Sequence, residues 1–317
     1  MKSPVHCRLL ILGSGEAAWT AAIYAARANL SPLVITADKP EPDITPASES
    51  ECWPGIQKGM TQKKLISDMK TQALNVGARV SEDVIIKAAL SEHPFRLIAR
   101  NSTYSCDALI IAKDSLPDFS GISGVENFVG KGVSTNVVYD GYLFKGQDVV
   151  VAGKGEDAIE DTRWLSNIAR KVYLVTSADT AQAADVLMEK VRSGKVVIFE
   201  GHSVSGFSGN DTGLASVKIR SERDNNELDI HATGCFISGG YIPDTALFSG
   251  EVEMKDGFIR VKGEDETGST ATSVAGVFAA GSITEYGRPL AVISARSGCM
   301  AALDAERFLS RKNSQEK

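Results

Sequence analysis

Nowhere in the 317 residues do two cysteines stand at a Cys-x-x-Cys spacing. The five cysteines, Cys7, Cys52, Cys106, Cys235 and Cys299, are scattered through apolar surroundings, and none has a metal-type spacing with His6, His93, His202 or His231. No metal centre is expected from that pattern. The cysteines read as reduced, buried side chains that behave as small apolar residues. Long apolar runs are lacking too, since none approaches the roughly 20 residues of a membrane span. Positive charge is in the minority, 34 Lys and Arg against 40 Asp and Glu, which leaves a net charge of −6. That balance argues against nucleic acid or an anionic membrane as partner. There is no low-complexity segment. Met1 to Arg8 leads straight into a buried-type strand, which predicts no signal peptide and a cytoplasmic location.

What is present is a globular composition, 43% hydrophobic and 23% charged, over a length that suits two domains. Cys7-Arg-Leu-Leu-Ile-Leu12 is a short apolar run of the kind that forms a buried parallel strand. Gly13-Ser14-Gly15-Glu16-Ala17-Ala18 follows, then an Ala-rich helical stretch to Asn29 and a strand at Leu33–Thr36. This is a βαβ unit opened by Gly-x-Gly-x-x-Ala, where a dinucleotide diphosphate sits on a helix N-terminus. The pattern returns later. Val149–Ala152 precedes Gly153-Lys154-Gly155-Glu156-Asp157-Ala158, and a helix to about Asn167 leads to a strand at Lys171–Val175. Helices are also predicted over Met60–Val76, Asp185–Ser193 and Ala291–Leu309. Strands are predicted over Ala108–Ala112, Val196–Phe199, Ala215–Ile219, Gly234–Gly239 and Val277–Gly281. The polar tail from Ser310 is expected to fray.

With two such units and Val277-Phe-Ala-Ala-Gly281 near the end, the chain resembles the low-molecular-weight, bacterial-type thioredoxin reductases. The resemblance spans essentially the whole chain. It is close in Leu9–Gly15, Ala21–Asn29, Trp53-Pro54-Gly55, Cys106–Ala112, Leu165–Ala169 and Gly298–Arg307. It implies an α/β fold of two Rossmann-like, three-layer domains of FAD/NAD(P)-binding type, the second inserted in the first. Residues 1–115 and 246–317 would form the FAD-type domain and 116–245 the NAD(P)H-type domain. It also implies a homodimer.

The resemblance further implies a redox dithiol, and it places that dithiol where this chain has Asn136 and Tyr139. Neither side chain forms a thiolate. Asp140, aligned with the family's proton donor, is retained; a turn role in Asp140-Gly141 is the plainer expectation. The run that clamps a 2′-phosphate reads Thr176-Ser177-Ala178 here, with Gln182 beyond it, and offers no cation. Glu156 and Asp157 beside Gly153 and Gly155 would repel a diphosphate, by about 4 kcal/mol per charge pair at 4 Å before screening. At the FAD-type site Gly13, Ser14, Gly15, Ala17 and Gly281 fit the pattern. Glu16, Glu41-Pro42-Asp43, Ala112-Lys113-Asp114, Ser282 and Pro289-Leu290 depart from it, and Cys52 stands where the family has an Asn beside the flavin. Glu16, Glu156 and Asp157 could instead neutralise empty helix N-termini at about 0.3–1 kcal/mol each.

These departures predict a non-catalytic homologue without disulfide reductase activity, acting through an unknown protein partner or small ligand. No catalytic residue is assigned, no cofactor is expected to be tightly bound, FAD is allowed only with altered contacts, and NADPH is disfavoured. The alternative is a FAD-dependent pyridine-nucleotide oxidoreductase, drawing on NADH or a protein donor and acting on a non-disulfide substrate, rather than an ordinary thioredoxin reductase.

Overall fold

The structure is a computed structural model that describes residues 4–37, 53–57, 59–177, 181–263 and 270–315, without the side chains of 181–186 and 313–315. Along the chain run β1 (Val5–Leu12), α1 (Glu16–Arg27), β2 (Leu33–Thr36), α2 (Gln62–Asn75), β3 (Arg79–Glu82), β4 (Ile85–Ala89), β5 (Phe95–Ala99), β6 (Thr103–Ile111) and β7 (Ser115–Pro117). Next come β8 (Val133–Ser134), α3 (Val137–Asp140), β9 (Asp148–Gly153), α4 (Gly155–Leu165), β10 (Lys171–Thr176), α5 (Ala181–Arg192) and β11 (Val196–Glu200). They are followed by β12 (His202–Asn210), β13 (Gly213–Ser221), β14 (Glu227–His231), β15 (Gly234–Ser238), β16 (Tyr241–Pro243), β17 (Met254–Lys255), β18 (Phe258–Ile259), β19 (Val277–Ala279) and α6 (Ala291–Gln315).

The chain divides into two compact units. The first is Met1–Pro42, Met60–Leu116 and Ile242–Lys317; the second is Asp43–Gly59 and Pro117–Tyr241. Unit one holds a seven-stranded sheet in the order β3-β2-β1-β6-β5-β4, with β19 pairing β6. β3, β2, β1, β6 and β19 are parallel, while β5 and β4 turn back antiparallel. α1 and α6 pack on each other and on the central strands. Covered on both faces, β1 buries Leu9, Leu10 and Ile11 completely, each contributing about 1.5–3 kcal/mol of transfer free energy.

Unit two holds a five-stranded parallel sheet, β11-β10-β9-β15-β8, and a three-stranded antiparallel sheet, β12-β13-β14. One core cluster gathers Val150, Val217 and Cys235, and a second gathers Val149, Leu165 and Phe236. Each unit is thus a Rossmann-like α/β body, the second inserted in the first. Among the described residues no helix is long and apolar enough to cross a membrane.

Several elements differ from the sequence expectation. α6 continues through Gln315, past the polar boundary at Ser310. Ser310 Oγ donates to Glu306 Oε1 one turn earlier at 2.7 Å, so polar residues extend this helix on its exposed face. α5 begins at Ala181 rather than Asp185. β12 and β14 were not anticipated, because β12 is bulged and both are largely exposed, which leaves no apolar alternation to read.

Candidate functional site

Both units present the same device at the end of their first strand. In unit one the turn Gly13-Ser14-Gly15 joins β1 to α1. Gly13 sits at φ +144°, and a Cβ built on it would lie 1.9 Å from the carbonyl oxygen of Ala112, just past β6. Only glycine allows that strand to pass so closely. Its N–H donates to the Ile35 carbonyl at 3.1 Å, which fixes the turn against β2. In unit two Gly153-Lys154-Gly155 joins β9 to α4. A Cβ on Gly153 would lie 2.3 Å from the carbonyl oxygen of Ser238, at the end of β15. The two first glycines therefore meet matched carbonyls on matched neighbouring strands.

The turn of unit one gathers most of the residues anticipated there. Ala17 is buried in α1 and faces Gly281, whose Cβ would lie 3.2 Å from the Ala17 Cβ. Gly281 has φ +86°, and its N–H donates to Ser297 Oγ at 2.9 Å. Ser282 is buried, and its Oγ accepts from the Ser115 N–H at 2.9 Å, a structural tie. Glu16 is 6% exposed and accepts from Gln62 Nε2 at 3.0 Å, so its carboxylate is engaged with a side chain of α2. Ser14 is half-buried.

The turn of unit two is more open. Gly155 has φ +69° and, among the described residues, nothing within 4 Å of a built Cβ. Glu156 and Asp157 occupy the first turn of α4 and are exposed. Thr176 is buried at the end of β10 and Ser177 is exposed. Ala178, Glu41, Pro42, Asp43 and Cys52 lie outside the described residues, as does the side chain of Gln182.

Asn136, Tyr139 and Asp140 come together in unit two. Asn136 caps α3, its Oδ1 accepting from the Tyr139 N–H at 3.1 Å. Ser134 Oγ accepts from the Asn136 N–H at 2.9 Å and donates to Asp140 Oδ2 at 2.6 Å. Asp140 is 7% exposed. Burial raises its pKa above the ordinary carboxylate range, and the Ser134 hydrogen bond opposes part of that rise. Asp140 is therefore a buried, hydrogen-bonded acid rather than only a turn residue. Cys7, Cys106 and Cys235 are buried and free, while Cys299 is partly exposed. Among the described residues no cluster of His, Cys, Asp and Glu could hold a metal ion.

Residues 7–298 match the family model described as pyridine nucleotide-disulphide oxidoreductase. A thioredoxin reductase of Vibrio cholerae is 39% identical over 313 residues, covering 98% of each chain. The chain belongs to the low-molecular-weight thioredoxin reductase family. The thioredoxin reductase of Escherichia coli O157:H7 is 38% identical over 314 residues, again 98% of each. A Pseudomonas fluorescens protein named glucosaminate ammonia-lyase is 37% identical over 308 residues, 96% of each. A solved thioredoxin reductase from Giardia duodenalis superposes with a TM-score of 0.86 at 31% identity, covering 96% of this chain and 99% of that one.

These findings correct three expectations. The reading as a non-catalytic homologue is overturned by relatives named as reductases at 37–39% identity over nearly the full length. The same relatives overturn the leaning against an enzyme and against an ordinary member of the family. The expectation of no tightly bound cofactor, with NADPH disfavoured, falls with them, because the matching family is defined by pyridine-nucleotide chemistry. The physical reason is that a diphosphate on such a turn is held chiefly by backbone N–H groups and a helix N-terminus. Side-chain replacements leave those groups standing. Screening lowers the repulsion from Glu156 and Asp157, since both are exposed.

Sequence reasoning marked Asp114 only as a departure from the family pattern and missed its contact with the unit-one turn, and it did not single out Gly240. Asp114 places its carboxylate against Gly15, and Gly240 stands at the matching sequence offset past Ser238 in unit two. Aligning the two βαβ units on each other would have paired them, two residues beyond Ala112 and two beyond Ser238.

Proposed function

We propose that the chain is a flavin-dependent oxidoreductase that takes electrons from NADPH, with a thioredoxin-like protein as partner, working as a cytoplasmic homodimer. The observation that carries this reading is the pair of glycine turns, one per unit, each closed by a carbonyl at the end of the neighbouring strand, Ala112 at 1.9 Å and Ser238 at 2.3 Å from a built Cβ. FAD, when bound, supplies the two-electron acceptance from a reduced nicotinamide. The backbone of both turns fits a nucleotide diphosphate, and at the unit-one turn the Asp114 carboxylate lies against Gly15. In unit one, Gly13 and Gly15 bring the chain close at the N-terminus of α1. In unit two, Gly155 leaves open room above the N-terminus of α4.

One of the chain's own side chains then manages the proton. Ser134 holds the Asp140 carboxyl at 2.6 Å, in a buried setting that keeps its proton to higher pH than an ordinary aspartate. Asp140 is the group we assign to hold that proton. Asn136 and Tyr139 occupy the positions that the resemblance gives to paired thiols, and neither forms a thiolate. The transfer to a disulfide acceptor is therefore the step the experiment has to decide.

The test is anaerobic reduction of the FAD-reconstituted protein, followed at the flavin absorbance band. Bleaching by NADPH, followed by recovery on adding oxidised thioredoxin, is the expected result. No bleaching by either NADPH or NADH would overturn the reading. Bleaching without recovery would remove thioredoxin as the acceptor. Release of ammonia from glucosaminate would move the assignment to the chemistry named for the Pseudomonas relative.

A further inference from the structure

The second glycine of a Gly-x-Gly turn leaves room for a diphosphate to reach the backbone. In unit two that room is open, with nothing among the described residues within 4 Å of a Cβ built on Gly155. In unit one it is filled. A Cβ built on Gly15 would lie 2.7 Å from Asp114 Oδ2, 2.9 Å from Oδ1 and 3.2 Å from Cγ. An internal carboxylate thus occupies the place the turn keeps for a phosphate, at the N-terminus of the twelve-residue helix α1.

The two units show what makes the difference. Gly13 meets the carbonyl of Ala112, and Gly153 meets that of Ser238. Two residues past those carbonyls stand Asp114 in unit one and Gly240 in unit two. The same offset past the strand carries an acid in unit one and a glycine in unit two.

Asp114 is also held in place. The Asp244 N–H donates to its carbonyl at 3.2 Å, and the next residue, Ser115, donates its N–H to Ser282 Oγ at 2.9 Å. The neighbouring ammonium of Lys113 pairs with the Asp244 carboxylate. Asp114 itself is partly buried.

We propose that Asp114 is a built-in competitor for the diphosphate of the flavin dinucleotide at the unit-one turn, and so sets how tightly that cofactor binds. A dinucleotide seats its diphosphate only by displacing this carboxylate. Riboflavin, which carries no phosphate, does not compete with it. The inference rests on the flavin reading above.

The experiment titrates flavin-free wild-type protein, Asp114→Gly and Asp114→Asn with FAD and with riboflavin, following flavin fluorescence. Both variants should bind FAD about tenfold or more tightly than wild type, since both remove a unit charge within contact of the diphosphate. Riboflavin affinity should not change. The near-isosteric Asn variant covers the case in which the Gly variant folds poorly, and NADPH affinity at the unit-two turn serves as the folding control. Equal or weaker FAD binding in both variants would overturn the proposal while leaving the flavin reading intact. An equal gain for riboflavin would also overturn it, by showing a general loosening rather than removal of a charge. FAD binding by none of the three proteins would overturn the proposal and the flavin reading together.

Discussion

At the scale of single residues, glycines at matched places in two turns carry different burdens. Gly13 lies where a Cβ would come within 1.9 Å of backbone, so Gly13→Ala has to part β1 from the end of β6. A loss of about 3 kcal/mol or more in urea-unfolding stability is expected. Gly155 has open space but φ +69°, so Gly155→Ala should cost only about 1–2 kcal/mol of left-handed strain. Equal losses in the two variants would contradict this account. Asp140 gives a pH prediction. Its folded-state pKa is raised by burial, so the folded chain holds that proton more tightly than the unfolded one. The contribution of this group is fully present below the unfolded pKa and is lost as pH rises through the folded one. Asp140→Asn cannot ionise, so it should gain stability relative to wild type across that interval and level off above it. Urea midpoints from pH 4 to pH 8 check this, and parallel curves for the two proteins would exclude it.

At the scale of elements, what could be read from the sequence depended on burial. β1, β6, β9 and β15 each contain a buried apolar stretch, Leu9–Leu12, Ala108–Ile111, Val149–Ala152 and Cys235–Ile237, so the sequence pattern located them and the two glycine turns between strand and helix. β12 and β14 left no such trace, because their side chains are mostly exposed and β12 has breaks in register near Gly206 and Gly209. The contact between Asp114, already marked as a departure, and Gly15 was hidden for a different reason. Asp114 is about a hundred positions from that glycine, and only the parallel register of β1 with β6, Leu12 opposite Ile111, brings it there. Helix packing has its own contact point of this kind. A Cβ on Gly298 of α6 would lie 2.1 Å from the Ala17 carbonyl of α1. Gly298→Ala should therefore pry the two helices apart and cost about 2–3 kcal/mol, read as a lower urea midpoint.

At the scale of the whole molecule, each unit has its own core. Both clusters of unit two lie within residues 119–237, so the segment 117–241 should fold alone with a cooperative thermal transition. A non-cooperative melt of that fragment would show that the unit leans on the rest of the chain. The proposed homodimer should sediment at twice the chain mass. Cys7 and Cys106 face each other in register across β1 and β6, both buried, and Cys235 lies buried in the sheet of unit two. Burial, with a smaller push from Asp107, drives the Cys7 thiol up to about 12. Each of the two cores thus carries at least one thiol silent in the native state, unlike the partly exposed Cys299. Alkylation of these silent thiols becomes a stopwatch, with Cys7 and Cys106 timing the opening of the first unit and Cys235 that of the second.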